Sequence, residues 1–243
     1  MHDKHSNKPL MINNFHKDDI FHSIQLFQQR LNEIYEICEC MIIFGWYRNG
    51  QKENLPLFSG IQGTEYQRTL ENSQQAFDRT LYLLKRHSKY MLDISTNASS
   101  IWSQELKRFF ESIHEIELII VKLINEAITK AITIEQMIDI LEIFVNFQSR
   151  TIINHILIDK TRDIYRLFLS EIEDIQTQIA AHQTLDDMKN STHIFDLFLP
   201  HYSAKAMWIH SLIKRITKNY NLLIQSSNLP DLIQQNDIKF AYE

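Results

Sequence analysis

The sequence predicts an all-α protein, built as an elongated bundle of long helices. The chain has only four glycines, and all of them lie between Gly45 and Gly63. At average usage, the stretch after Thr64 would hold about 13 glycines, which supply the positive-φ turns and bulges that sheets need. Apolar residues also recur at helical spacing in successive segments. Predicted helices of about 25–30 residues are roughly twice the usual length, which favours an elongated bundle over a compact enzyme core.

Composition and charge exclude several classes of function. With 44% hydrophobic and 23% charged residues, the chain can bury a core and does not have a disordered composition. Its net charge of −5 argues against a nucleic-acid-binding protein. No apolar run approaches the ~18–20 residues of a membrane span, and the first residues lack the apolar core of a signal peptide. We therefore expect an intracellular protein with neither a nucleic-acid nor a membrane partner.

The first helix is predicted between Asp18 and about Phe44. Asp18 and Asp19 can cap its start. Cys38 and Cys40 lie two positions apart, so their side chains diverge, and we expect buried reduced thiols instead of a disulfide or zinc ligands. The residues predicted to form the buried face of this helix are Ile20, Ile24, Phe27, Leu31, Ile34, Cys38, Met41 and Ile42.

Two further helices are predicted after the glycine-containing loop. The loop runs from Gly45 to Gly63, and Thr64 and Gln67 form a capping-box pattern at the start of the second helix. A break rich in Ser, Thr and Asn at 89–99 precedes a third helix over about 100–130. The predicted buried positions are Tyr66, Leu70, Phe77, Leu81 and Leu84 in the second helix and Trp102, Leu106, Phe109, Ile113, Ile116, Ile120, Leu123 and Ala127 in the third.

The fourth and fifth helices are predicted on either side of Ser149, where the helical spacing of apolar residues is interrupted. Thr133 and Gln136 repeat the capping-box pattern before the fourth helix, and the fifth runs to about Ala181. The predicted buried positions are Met137, Leu141, Phe144 and Phe147, followed by Ile152, Ile156, Ile164, Leu167, Phe168, Ile172, Ile175 and Ile179.

The last helix is predicted after a mixed linker at 182–199. Pro200 suits its first helical position, and Pro230 ends or interrupts it. Its predicted apolar stripe is Trp208, Leu212, Ile216, Tyr220 and Leu223. The predicted organisation is a polar N-terminal segment at 1–17, one helical domain at 18–226 and a C-terminal segment at 227–243 that we expect to be truncated.

Four phrases of the sequence carry a family resemblance. The first is Leu31-Asn-Glu-Ile-Tyr-Glu-Ile-Cys-Glu-Cys-Met41, followed by the loop Leu57-Phe-Ser-Gly-Ile-Gln-Gly-Thr-Glu65. The second is Leu92-Asp93, with Trp102 and Phe109 ahead of His114-Glu-Ile-Glu117. The third is Ile134-Glu-Gln136, Leu141-Glu-Ile-Phe144, Arg150, Lys160-Thr161 and Ile164-Tyr-Arg-Leu-Phe168. The fourth is Pro200-His-Tyr202, Trp208, Leu212 and Lys214-Arg-Ile216. In this order, over about residues 10–226, they resemble the N-terminal tail of dynein heavy chains, specifically the axonemal type, with the first phrase most similar to an inner-arm chain.

The sequence departs from this family's pattern at three positions. Ser59 replaces the first glycine of the loop, Ala204 stands where glycine is usual, and His210 stands where arginine is common. Alanine favours the helix more than glycine does, but its methyl group limits how closely a neighbouring helix can approach.

The resemblance implies a structural and interaction segment of a microtubule motor complex. Dynein heavy chains are ATP-driven motors whose tail dimerises, binds intermediate and light chains, and attaches the motor to its cargo or doublet. The implied partners are therefore dynein intermediate and light chains and another heavy-chain tail. The implied process is microtubule-based movement, including ciliary motility. The implied location is the cytoplasm and cytoskeleton, within the cilium or axoneme.

No enzyme activity is predicted for this chain. The motor ring and the stalk lie far downstream in dynein heavy chains, and the sequence has no glycine-rich loop to cradle a phosphate. Its histidines are scattered singly and its adjacent carboxylates point apart on a helix, so no nucleophile–base pattern emerges. We predict no catalytic, cofactor-binding or metal-binding residues, and no cofactor.

A partner-binding site is predicted on the last helix. Lys214 and Arg215 straddle the face that carries Trp208, and no acidic residue lies between Leu197 and Pro230. We predict that Lys214 and Arg215 bind an acidic partner and that Trp208 is a structural anchor. The alternative is a core tryptophan beside a solvated basic flank, with ion pairs to acidic residues of the fifth helix: Glu171, Glu173 and Asp174.

Two interpretations from different classes remain open at the level of the sequence. The preferred one is a dynein tail segment, and the alternative is an unrelated all-helical adaptor or tethering protein. The glycine loop and the phrase around Trp208 separate them, because a generic helical bundle needs neither.

Overall fold

A computed structural model describes residues 17–48, 51–58, 62–93, 95–184 and 200–225 of the chain. Within these ranges the protein is about 85% helical, with six α-helices and a very small antiparallel sheet. The prediction of an all-α fold is therefore confirmed. No described helix combines the length and the apolar character needed to cross a membrane.

The elements follow one another with short connections. The helices are α1 (Lys17–Ile43), α2 (Gly63–Lys85), α3 (Thr96–Lys130), α4 (Ile134–Phe144), α5 (Thr151–Thr184) and α6 (His201–Gln225). Two strands, β1 (Tyr47–Arg48) and β2 (Gln51–Lys52), pair antiparallel, with Tyr47 opposite Lys52 and Arg48 opposite Gln51. Single turns of 3-10 helix cover Ser88–Tyr90 and Val145–Phe147.

The chain divides into two compact units. The first unit consists of Met1–Asn54 and Gln74–His114, and the second consists of Leu55–Ser73 and Glu115–Glu243. The boundaries fall within α2 and α3, so each of these helices contributes residues to both units. The predicted domain limits after residues 17 and 226 stay predictions.

The core of the first unit is aromatic. The ring of Phe77 lies 6.1 Å from that of Phe44 and 6.4 Å from that of Phe109, measured between centroids. A Cβ added at Gly45 would lie 2.8 Å from the Phe77 ring and 2.7 Å from the Met41 carbonyl, so only glycine fits there. The next residue, Trp46, is buried with a φ of 55°, a left-handed conformation that ends α1.

A second aromatic cluster forms the core of the second unit. The Phe144 ring lies 5.9 Å from Phe58 and 6.0 Å from Phe147, and Phe58 also contacts the Tyr66 ring edge-on at 5.8 Å. A Cβ at Gly63 would lie 2.5 Å from the carbonyl oxygen of Phe58. Glycine at this position therefore allows Phe58 to lie close against the start of α2.

Two predicted helix starts are wrong and one is confirmed. α2 begins at Gly63, the amides of Glu65 and Tyr66 donate to the Gln62 carbonyl, and Gln67 donates to Glu71 instead of completing a box with Thr64. The close contact at Gly63 lets this helix start before the predicted cap. α3 also starts earlier than predicted, at Thr96, because the hydroxyl of Ser95 accepts the amide of Ala98.

The predicted capping box of α4 is present. The Thr133 hydroxyl accepts the amide of Gln136 at 3.2 Å. The Gln136 side chain accepts in return, from the amide of Ile132 at 3.0 Å. Two of the otherwise unpaired amides at this helix start are thereby satisfied.

The predictions at the outer helix ends need small corrections. α1 already includes Lys17, so it begins before Asp18 and Asp19, which were predicted to precede it. α5 continues to Thr184, into the predicted linker, while residues 185–199 and Pro230 lie outside the described part of the chain. Pro200 precedes α6, and its carbonyl accepts the Ala204 amide at 2.9 Å, so it caps the helix and is not its first residue.

Buried faces were predicted well for some helices and poorly for others. Every stripe residue predicted for α2 and α3 is buried. In α5, Ile152 and Leu167 are exposed, while Ile153 and Leu157 are buried instead, because the buried face is rotated by one position near its start. In α1 the prediction is wrong, because most of the residues predicted to be buried are exposed to solvent. Cys40 is buried as expected, but Cys38 is exposed, and neither forms a disulfide.

Candidate interaction surfaces

A polar network fixes which side of α1 faces the first unit. The guanidinium of Arg30, only 3% exposed, donates to Glu33 at 2.8 Å and to the Ser99 hydroxyl at 2.7 Å. The indole nitrogen of Trp102 donates to the same Glu33 carboxylate at 2.7 Å. Buried charges need such partners, so this network holds α1 against α3 in one rotation. Sequence periodicity missed it, because Arg30 and Glu33 occupy positions where an apolar buried face was not expected.

The opposite side of α1 presents a continuous exposed apolar surface. We call it the α1 face, and it consists of Ile20, Phe21, Ile24, Phe27, Leu31, Tyr35, Cys38 and Ile42. Its large side chains are between 48% and 65% exposed. Half to two-thirds exposure of such side chains leaves roughly 700–800 Å² open, above the ~300–600 Å² patch of a typical monomer. The estimate is close to the ~800 Å² that one partner contributes to a standard protein interface.

One tyrosine of the α1 face has a perturbed acidity. A hydrogen bond to Glu39, followed by the charge of that carboxylate, raises the pKa of Tyr35. Two other shifts are resolved elsewhere: hydrogen bonds from Ser95 lower the pKa of Asp93, and burial raises the pKa of Tyr165. Tyr35 and Asp93 belong to the first unit and Tyr165 to the second.

The basic residues predicted to bind a partner on α6 are partly engaged within the second unit. Arg215 forms an ion pair with Glu171 at 2.7 Å, and Lys218 forms one with Glu135 at 2.6 Å. Lys214 is exposed and forms no ion pair within the residues that the structure describes. The structure therefore separates the predicted pair, since Arg215 is held by α5 while Lys214 faces solvent.

Trp208, the predicted structural anchor, is only partly buried. Among the residues of α6 whose burial the structure describes, Ala204, Leu212 and Leu223 are buried. Ala204 is 2% exposed, so the methyl group that replaces the family's usual glycine is accommodated in the packing. Packing of α6 is thus shared among these three side chains, and Trp208 contributes part of its surface.

A buried ion pair links two of the phrases that carried the family resemblance. The Nε of Arg150 donates to Glu117, whose side chain is only 5% exposed, at 2.5 Å. Glu117 lies on α3 and Arg150 lies directly before α5, so the pair ties these two helices together inside the second unit. The sequence analysis named both residues without predicting their contact, because no local spacing connects positions so far apart.

A groove of about 980 Å³ opens in the second unit. Its lining includes Phe58, Tyr66, Lys130, Gln136, Asp139 and Ile140. The ammonium of Lys130 lies 5.8 Å from the Tyr66 ring centroid. None of the resolved pKa shifts belongs to a lining residue. Across the described ranges, no group of three or more His, Cys, Asp or Glu side chains is placed to hold a metal ion.

Comparison with known proteins identifies the family. The family described as dynein heavy chain, N-terminal region 1, matches residues 2–243. Dynein axonemal heavy chain 2 of Homo sapiens is 25% identical over 204 residues, which cover 84% of this chain and 4% of that protein. Dynein axonemal heavy chain 2 of Mus musculus is 24% identical over 206 residues, covering 84% of this chain and 4% of that protein.

A third relative, an algal protein, matches a larger share of this chain. The dynein-1-beta heavy chain of the flagellar inner arm I1 complex of Chlamydomonas reinhardtii is 23% identical over 230 residues, covering 94% of this chain and 5% of that protein. The chain therefore spans about a twentieth of the length of these relatives. No solved structure matches it. Since the family match extends over nearly the whole sequence, the chain belongs to the dynein heavy chains and represents their N-terminal region 1.

Proposed function

We propose that this chain is a structural tail segment of an axonemal dynein heavy chain, which joins the heavy chain to another heavy-chain tail. The observation that carries the proposal is the α1 face, a surface of apolar side chains that are about half exposed or more. Water contact with such a surface is unfavourable by roughly 25 cal/mol per Å². Covering the α1 face with a partner helix would remove this cost and supply most of the driving force for association.

The rigidity of α1 supports the same proposal. The network among Arg30, Glu33 and Trp102 holds the helix in a fixed rotation, so its apolar side stays directed outward. A preorganised surface loses little conformational entropy on binding, which favours affinity. The α1 face is therefore better suited to a permanent assembly contact than an exposed loop would be.

We further propose that α6 contributes a contact to an acidic segment of a dynein intermediate or light chain. Lys214 and Arg215 carry this contact, and Lys214 is the stronger candidate because its charge is not balanced within the described part of the second unit. Exposed charges act mainly on association rate and on salt dependence. We expect this contact to be secondary to the α1 face.

The proposed setting is the axoneme. Axonemal and flagellar heavy chains are among the relatives, so we place this chain in the cilium, within the machinery of microtubule-based movement. We also propose that the region itself neither binds nor hydrolyses ATP, because its sequence lacks a phosphate-binding loop. Equilibrium binding of nucleotide to the purified chain tests this point, and retained micromolar affinity would contradict it.

Co-purification with heavy-chain tails tests the role of the α1 face. The double variant Phe27→Glu, Leu31→Glu places two charges in the centre of the face. The control, Gln25→Glu, Asn32→Glu, makes the same charge change on exposed polar positions of the same helix. We expect recovery of a second heavy-chain tail to fall at least about tenfold for the first variant, equivalent to ~1.4 kcal/mol, and to be unchanged for the control. Equal recovery with both variants would exclude the α1 face as the association surface.

A second experiment tests α6. We expect Lys214→Glu to reduce recovery of intermediate chains at low ionic strength and to have little effect at high ionic strength. Lys107→Glu is the control, because Lys107 is an exposed lysine of the first unit. If Lys214→Glu and Lys107→Glu recover the same amount of intermediate chain at every salt concentration, the basic side of α6 is only a solvated flank.

A further inference from the structure

The groove of the second unit is a separate surface, which shares no residue with the α1 face or with the basic side of α6. We infer that this groove binds an extended, basic peptide segment of a partner protein. The main chain of the peptide pairs with Leu55 and Leu57, and its apolar side chains enter the groove. Binding there requires neither a second heavy-chain tail nor Lys214, so it is independent of the proposed function.

The segment 55–58, most of which lines the groove, supplies main-chain groups for such pairing. It follows β2 and forms neither helix nor turn. Pro56 disfavours a helical conformation of the residue before it, so the segment is extended at this point. No backbone hydrogen bond links Leu55, Pro56 or Leu57 to another residue in the described part of the chain. Unpaired N–H and C=O groups of an extended segment are those to which an added strand binds.

The position of the proline is compatible with this pairing. In an extended segment, residues two apart direct their N–H and C=O groups to the same edge, so Leu55 and Leu57 share one edge. Pro56, which has no N–H, lies on the other edge together with Phe58. That edge faces α2, since a Cβ at Gly63 would lie 2.5 Å from the Phe58 carbonyl oxygen. The edge with both leucines is therefore directed away from α2.

The shape of the apolar lining favours a peptide over a small molecule. A volume of about 980 Å³ is at the upper end of the range for small-molecule sites. Leu57 and Ile132 both line the groove, and they are 83% and 87% exposed. Such protruding aliphatic side chains would stay in water beside a small ligand. A peptide that lies along the groove would cover them and gain their hydrophobic contribution.

Charge in the groove favours a basic segment. Its lining carries the carboxylates of Asp139 and Glu142 and the ammonium of Lys130. Lys130 lies 5.8 Å from the centroid of the Tyr66 ring, which partly compensates its charge. Asp139 is exposed, and its carboxylate forms no ion pair with any residue that the structure describes. An arginine or lysine of the peptide would pair with this carboxylate.

Fluorescence anisotropy with synthetic peptides and the whole chain tests the chemistry of the site. The probes are short peptides of alternating valine and threonine, in which one arginine replaces each threonine in turn. Their period of two places the valines on one face. We expect the best arginine peptide to bind with a Kd of about 1–100 μM and its glutamate counterpart to bind at least tenfold more weakly. Absence of binding across the series, or equal binding of arginine and glutamate peptides, would overturn the inference.

Backbone pairing is tested with N-methylated forms of the same peptide. A methyl group on an amide nitrogen removes the donor and blocks the approach of a neighbouring strand. In an extended peptide the amides of the valines and those of the threonines point to opposite edges. We expect methylation of one set to abolish binding and methylation of the other to change the Kd less than about threefold. Equal effects of the two sets would contradict pairing with Leu55 and Leu57.

Charge-reversal variants of the chain locate the binding site. Asp139→Lys changes the groove, and Asp174→Lys makes the same change at an exposed aspartate of α5 in the same unit. We expect Asp139→Lys to weaken binding of the arginine peptide at least about tenfold and Asp174→Lys to leave its Kd unchanged. Equal affinity of the two variants would place the peptide outside the groove and overturn the inference.

A neutral substitution at the rim shows whether the groove is open in the unbound chain. Because Ile132 is 87% exposed, Ile132→Ser should weaken peptide binding without changing the midpoint of urea unfolding. Ile119→Ser is the control, at an exposed isoleucine of α3 outside the groove, and should bind the peptide as the unchanged chain does. A lower unfolding midpoint for Ile132→Ser would mean that the chain itself covers the groove, which contradicts the inference.

Discussion

α1 and α3 are both long helices with an apolar stripe that sequence periodicity identifies. The two stripes differ in burial. The stripe of α3, which includes Phe109 and Ile113, is buried throughout. The stripe of α1, which includes Phe27 and Leu31, is largely exposed. The difference shows that an apolar period predicts a surface to be covered, but does not say whether the cover belongs to the same chain.

The largest expected effect is a direct comparison of one substitution on the two helices. Phe109 is 2% exposed and Phe27 is 56% exposed. We expect Phe109→Ala to lower the free energy of unfolding by ~3–5 kcal/mol, because it leaves a cavity between aromatic rings. Phe27→Ala should cost less than about 1 kcal/mol in the monomer. Urea denaturation of both variants measures the contrast, and a similar loss for both would mean that the α1 face is covered within the chain.

A smaller contrast is expected between two ion pairs of the second unit. Removing one partner of a buried pair leaves an uncompensated charge, so Glu117→Gln should destabilise the protein by about 2–4 kcal/mol. Glu171→Gln breaks the more exposed pair with Arg215 and should cost no more than about 1 kcal/mol. Thermal unfolding of the two variants ranks them. A larger loss for Glu171→Gln would show that α6 depends on its basic side more than on its apolar contacts.

The smallest contrast between two variants is expected on α6, between Trp208 and Leu212. A fully buried tryptophan would cost ~3–5 kcal/mol on truncation, but this side chain is only partly buried, so we expect about 1–3 kcal/mol for Trp208→Ala. Leu212→Ala, at a buried position of the same helix, should cost ~2–5 kcal/mol. Chemical denaturation distinguishes the two. If Trp208→Ala is the more damaging variant, Trp208 is the anchor that its position in the sequence predicted.

Much of the fold could be predicted from the sequence because it depends on local spacing. The stripes of α2 and α3, the capping box at Thr133 and the break around Ser149 all follow from residues within one or two turns of each other. The early start of α2 could not be predicted in this way. It depends on the contact between Gly63 and the Phe58 carbonyl, which no local sequence pattern indicates.

The candidate surfaces were harder to predict, because they depend on pairings between distant residues. Trp102 and Glu33 lie on different helices, and their hydrogen bond sets the rotation of α1. Arg215 and Glu171 likewise pair across α6 and α5, as the alternative interpretation had anticipated. The family itself was recognised from four separated phrases, and the match over residues 2–243 excludes an unrelated helical adaptor.

The reactivity of Cys38 tests the central claim most directly, since this thiol lies on the α1 face while Cys40, on the same helix, is buried. Labelling with a maleimide is followed by mass spectrometry in the dilute, dissociated chain and in the assembled tail complex. We predict fast labelling of Cys38 in the dissociated chain, strong protection in the complex, and no labelling of Cys40 in either state. Equal labelling of Cys38 in both states, or protection already in the dissociated chain, would contradict the account of α1 as an association surface.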